Sequence, residues 1–111
     1  ADMKRVYYSR NVLFIDEAEA GMPRDAAVKA LKSEGVPVGA YSYRLQHKCA
    51  LYREAKWWHH LPALPELPGS EQANATAIRL PYFTSEVPEL VELCARAFEK
   101  VWAHRRQLRN V

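Results

Sequence analysis

The chain has 111 residues, of which 49% are hydrophobic and 26% charged, a composition that supports one globular core burying about 65% of the unfolded surface. Its formal net charge is +3, from sixteen basic and thirteen acidic residues that are mostly interleaved, which argues against a chain built around nucleic acid. Two cysteines, Cys49 and Cys94, are too few for a disulfide framework and fit no zinc spacing, and there is neither a signal-peptide pattern nor an apolar run long enough to span a bilayer; the expectation is a cytoplasmic protein whose cysteines are small buried hydrophobes.

Arg5 to Ile15 reads as a strand, because Val6, Tyr7, Tyr8 and the run Val12-Leu13-Phe14-Ile15 are rich in β-branched and aromatic residues. Residues 16–21 are a polar connection. Pro23 suits the first position of a helix, where its missing N–H costs nothing. Ala27, Val28, Ala30 and Leu31 give that helix a narrow apolar stripe, and Gly35 is placed as its left-handed C-terminal cap. Val36 to Tyr43 follows as a second strand, with Pro37 implying an edge position or a strand start.

His47 to Trp58 reads as a turn or short helix. Three prolines exclude regular helix over Leu61 to Gly69. Ser70 is positioned to cap a short helix through Thr76. Ala77 to Phe83 reads as a third strand. Glu86 to Leu108 is the clearest helix, with Val87, Leu90, Val91, Cys94, Phe98, Val101 and Trp102 at helical spacing and Pro88 in the first turn. Its acidic start and basic end suit the macrodipole, so His104-Arg105-Arg106 reads as a solvated helix end. The expected fold is a single α+β domain over residues 1–111. It has a small three-stranded, mainly antiparallel sheet with helices packed on one face, in the order β-α-β-(irregular)-β-α.

No complete active site can be built from these residues. There is no Gly-x-Ser-x-Gly elbow, no Walker loop and no Gly-x-Gly-x-x-Gly turn. None of the six lysines has the phosphate-binding turn and acidic companion that a pyridoxal phosphate pocket needs. His59-His60 beside Trp57-Trp58 lacks acidic or cysteine partners at ligand spacing and reads as an amphipathic aromatic cluster rather than a metal site. Asn74-Ala75-Thr76 is formally a glycosylation sequon and reads as chance. His47 stands apart, since it follows a strand in a loop with Arg44, Lys48 and Tyr52, where a side chain can be presented to a neighbouring cleft. Taken alone, a solvated surface histidine is the commoner outcome for such a loop.

The ordered set Leu31-Lys32-Ser33-Glu34-Gly35-Val36, Tyr41, His47-Lys48-Cys49-Ala50-Leu51-Tyr52, Leu80-Pro81-Tyr82-Phe83 and the helix from Glu86 resembles the small C-terminal domain of the DegT/DnrJ/EryC1/StrS family of pyridoxal-phosphate-dependent sugar aminotransferases. There a helix ending in Gly-Ile or Gly-Val precedes a strand rich in Tyr and Pro. A His-x-Gln-Pro-x-Tyr-like loop, a Leu-Pro strand and a final helix follow. Cys49 stands where Gln is usual and Ala50 where Pro is usual. The resemblance runs along nearly the whole chain.

It implies a homodimeric enzyme that moves an amino group from glutamate or glutamine to a keto-sugar or keto-cyclitol. An N-terminal large domain would hold the pyridoxal phosphate and its lysine. The present chain would close the cleft and bind no cofactor itself. It further implies that His47 contacts the sugar, with Arg44 and Tyr41 behind it, and that Arg44 meets an anionic group such as a carboxylate or phosphate. The large-domain face is then expected to be apolar, with Trp57, Trp58, Tyr7 and Tyr8 as candidates.

Two other readings stand beside it. A stand-alone small α/β ligand-binding or regulatory module calls for a Gly-rich strand–helix turn forming an anion nest, and none is present. A nucleic-acid-binding domain using the basic tail calls for interleaved aromatics, and the tail's charge is offset by Glu89, Glu92 and Glu99.

Overall fold

A computed structural model describes residues 11–54, 56, 63 and 65–109. Three short strands form one antiparallel sheet. These are β1 (Val12–Phe14), β2 (Gly39–Ala40) and β3 (Ala77–Arg79), in the order β1-β3-β2. The central strand is therefore the last in the chain. Leu13 pairs with Ile78 and Phe14 with Ala77 on one side of β3, and Gly39 pairs with Arg79 on the other. Three further bonds lengthen the ladder beyond the strands: Leu80 N to Asn11 O at 2.8 Å, Ile15 N to Thr76 O at 3.1 Å and Tyr41 N to Ala77 O at 3.0 Å. The expected α+β fold, with its antiparallel three-stranded sheet, is the one found.

Residues 16–21, expected to be a connection, contain a one-turn helix α1 (Glu17–Ala20). Asp16 drives it by accepting from the N–H groups of Ala18 and Glu19, and Gly21 ends it at φ 68°. Helix α2 (Arg24–Ser33) starts one residue after Pro23, which sits at the cap. Its end is a Schellman motif. Val36 N–H donates to Leu31 O at 3.0 Å and Gly35 N–H to Lys32 O at 3.0 Å, with Gly35 at φ 86°. Leu31 and Val36 both enter the core cluster, the apolar contact that accompanies this motif.

The second strand is shorter than the expected 36–43. Pro37 has no N–H to donate, and Val38 N–H turns back to Val36 O at 2.8 Å, so pairing begins at Gly39. Two further short helices, α3 (Ala50–Arg53) and α4 (Pro68–Thr76), follow. Helix α4 begins at Pro68, inside the stretch expected to be irregular. Proline is tolerated in the first turn, and Leu67 rather than Ser70 is the cap, without a side-chain bond. The third strand stops at Arg79 instead of Phe83, because Pro81 cannot continue the ladder.

The last helix, α5 (Pro88–Ala103), gives way to a 3₁₀ turn at Arg105–Leu108, where one helix through 108 was expected. The core is built from Ala27, Val28 and Leu31 of α2, Val36, Val38, Ile78, and Ala97 and Val101 of α5. Cys94 and Phe98 pack against it. Leu90 and Val91 of the expected stripe are exposed to 45% and 49%, and neighbouring Leu93 to 62%, so the stripe meets the core only from Cys94 to Val101. Helix lengths explain this. Helix α2 has ten residues and α5 sixteen, about 15 Å against 24 Å, and Lys100 already meets Glu34 past the end of α2 at 2.7 Å. The earlier turns of α5 run on beyond it. Trp102, also expected inside, is 46% exposed, with the Arg105 guanidinium 4.5 Å from its ring centroid. Trp57, Trp58, His59, His60, Tyr7 and Tyr8 lie outside the described residues. Among the described residues no helix is long and apolar enough to cross a membrane.

Candidate functional site

Strand alternation gives the sheet two different faces. Leu13 and Ile78 point toward α2 and α5. Val12, Phe14, Ala77 and Tyr41 point the other way, into an open cavity of about 480 Å³, a volume in the range of small-molecule sites. The remaining walls are Tyr43, Arg44, Leu45, Gln46 and His47 from the chain after β2, and Leu67, Ser70, Ala73 and Asn74 from α4. All three residues singled out from the sequence, Tyr41, Arg44 and His47, line this one cavity.

Each is held differently. Tyr41 and Tyr43 meet edge to face, centroids 4.9 Å apart at 79°, and their hydroxyls are hydrogen-bonded to each other. Such contacts fix both rings against the cavity wall. His47 sits in a 3₁₀ turn, Gln46–Lys48, its side chain only 12% exposed, with Nε2 3.1 Å from Glu71 Oε1. Lys48 Nζ is 2.6 Å from Glu71 Oε2. The Lys48 ammonium first, then the His47 ring, hold the Glu71 carboxyl below its ordinary value of 4.5. It is therefore an ionised acceptor at neutral pH, and His47 Nε2 carries the proton. In the neutral ring that leaves Nδ1 as a hydrogen-bond acceptor, suited to a substrate hydroxyl. Arg44 is exposed and lines the mouth.

Sequence reasoning missed Glu71 and Asn74. The Asn74 side chain accepts from Tyr43 N–H at 2.5 Å and donates to Tyr43 O at 2.9 Å, while its own carbonyl accepts from Arg24 Nη1 at 2.7 Å. One asparagine thus ties α2, α4 and the chain after β2 together. Its carboxamide is committed to the Tyr43 backbone. A signal for this face existed in the spacing Leu67, Ser70, Ala73/Asn74 and Ala77, which follows one side of a helix.

His47 also borders a second, polar cavity of about 440 Å³ with Lys48, Arg53, Glu66, Pro68 and Glu71, so His47 stands between the two. Cys49 is buried and Cys94 half-buried, both as free thiols. Among the described residues no cluster of three or more His, Cys, Asp or Glu is arranged to hold a metal. Lys48, Lys56 and Lys100 are paired with Glu71, Glu54 and Glu34. No protein-family model matches the chain, and no solved structure is similar to it.

Proposed function

We propose that this chain is the small C-terminal domain of a cytoplasmic, DegT-like sugar aminotransferase, working as a homodimer. The observation that carries the reading is the convergence of Tyr41, Arg44 and His47 on one open cavity of about 480 Å³. These are the residues that the family resemblance puts on the substrate side. The apolar surface of the first turns of α5 supports it too, since Leu90, Val91 and Leu93 are exposed and exposed apolar stretches mark surfaces that meet another body.

In this reading the cavity closes over a keto-sugar or keto-cyclitol held in the cleft of an N-terminal large domain. Pyridoxal phosphate, bound by that domain, supplies the carrier chemistry for the amino group. This chain's residues bind and orient. His47 Nδ1 accepts a sugar hydroxyl while Glu71 holds the ring, Arg44 takes an anionic group bidentately, and the Tyr41–Tyr43 pair with Phe14 excludes water from the apolar side. The test is made on the complete enzyme. His47→Ala is expected to raise the KM for the keto-sugar about tenfold or more, with the KM for the amino donor unchanged. Unchanged kinetics would remove His47 from the site. A complete gene product without pyridoxal phosphate absorbance or transaminase activity would overturn the whole reading.

A further inference from the structure

We propose that the cleft between the end of α1 and the 3₁₀ turn after α5 binds a phosphate monoester through the guanidinium groups of Arg105, Arg106 and Arg109. The inference goes beyond the aminotransferase reading and does not depend on it.

From the sequence these arginines read as the solvated end of a long helix. The structure turns them elsewhere. Helix α5 stops at Ala103, and the turn Arg105–Leu108 follows. Leu108 packs against the core and pins this turn to the body of the domain. At three residues per turn, side chains three apart lie over one another. Arg105 therefore shares the inner side with Leu108, and Arg106 stands over Arg109 on the next. Arg105 is fixed further, since its Nη1 donates to Trp102 O at 2.9 Å and its guanidinium lies 4.5 Å from the Trp102 ring centroid.

The three arginines line one cleft of about 340 Å³, whose other wall is Ala18, Glu19, Ala20 and Gly21. Apart from Glu19 this wall has only small side chains, and the space where a Cβ would stand at Gly21 is open. None of the three arginines forms an ion pair with a described carboxylate, not even with Glu19 in the same cleft. Three guanidiniums against one carboxylate leave an excess of two positive charges. Like charges around so small a space repel one another, and a doubly charged anion relieves that repulsion. A phosphate monoester carries close to two negative charges at neutral pH and three terminal oxygens, which guanidinium forks bind bidentately. A phosphodiester carries one charge and leaves half of the excess in place.

The test titrates glycerol phosphate into the 111-residue chain at fixed ionic strength, following the arginine Nε–H signals by NMR. Those of Arg105, Arg106 and Arg109 are expected to shift on one saturable curve while that of Arg24, bonded to Asp25, stays still. Arg106→Gln and Arg109→Gln are each expected to weaken binding about tenfold and to leave thermal unfolding without ligand unchanged, because both side chains are exposed. Glu19→Gln should tighten binding about threefold. Lys29→Gln, on the exposed side of α2, should leave it unaltered. Dimethyl phosphate, a singly charged diester, is expected to bind about tenfold more weakly. Retention on vesicles containing phosphatidylinositol 4-phosphate, lost in Arg106→Gln, would support the site and assign its phosphate to a lipid headgroup; binding of the soluble ester without vesicle retention would support it and assign a soluble ligand. Shifts spread over all the arginines, equal binding of monoester and diester, or affinity untouched by Arg106→Gln and Arg109→Gln would overturn the proposal. So would a DNA oligonucleotide that binds more tightly than the ester, because the arginines would then be a general polyanion surface.

Discussion

The Asn74 carboxamide accepts from the Tyr43 N–H and donates to the Tyr43 carbonyl, reproducing with one side chain the reciprocal bonds of an antiparallel ladder. Replacing it exchanges both bonds for bonds to water, since Tyr43 is exposed. Asn74→Ala is expected to cost about 0.5–1.5 kcal/mol, read as a lower urea midpoint at unchanged slope. Glu71 does comparable work through charge. Its carboxyl is held below 4.5 by Lys48 and His47, so on acidification the unfolded chain takes up this proton before the folded one. The stabilisation is complete above that value and is lost as the pH falls from 4.5 toward the lower folded-state pKa. The stability difference between the native chain and Glu71→Gln, followed by denaturant titration, is expected to be constant at neutral pH and to shrink below about pH 4.5. A difference that persists undiminished at about pH 3 would show that the carboxylate's charge is not what holds the turn. Neither residue was legible beforehand, because their partners lie 31 and 24 positions away in sequence. Local spacing carries no information about such pairs.

At the scale of elements, α5 divides into a packed half and an overhanging half. Its periodicity was legible, since Cys94, Phe98 and Val101 do meet the core. The point at which burial stops was not, because it depends on the length of α2 rather than on α5 itself. The two halves should respond differently. Leu93→Lys, at a position 62% exposed, is expected to change stability by no more than about 0.5 kcal/mol. Leu31→Ala, on the α2 side of the same interface and 2% exposed, is expected to cost about 2–5 kcal/mol. Chemical denaturation of both variants checks the contrast, and a large loss from Leu93→Lys would place the overhang inside the cooperative core. The C-terminal glycine of α2 was legible for a local reason, a backbone at φ 86° that glycine adopts without strain. Helix α1 was missed although Asp16 carries an ordinary capping signal, because four residues are too few to show a period.

For the molecule as a whole, fold class and element order were readable because hydrophobic periodicity and the proline and glycine positions are local signals. Strand order was not. The placing of β3 between β1 and β2 is a long-range outcome, and it makes one three-residue strand serve both sides of the sheet. Ile78 closes the core, and Ala77 floors the cavity. Tyr41, Arg44 and His47, which the family resemblance implied as a set, line that one cavity; the walls contributed by α4 came from tertiary packing.

Helix α4 ends at Thr76 and β3 begins at Ala77, with no residue between them. An insertion or deletion there would turn the strand over, sending Ile78 into the cavity and a cavity residue into the core. Lineages that remodel this cavity are thus confined to exchanging side chains along the α4–β3 wall. Changes of loop length can be absorbed only on the opposite wall, between β2 and α3. Diversity in the length of that arm, set against a constant span from Pro68 to Arg79, is the evolutionary record that this junction should leave.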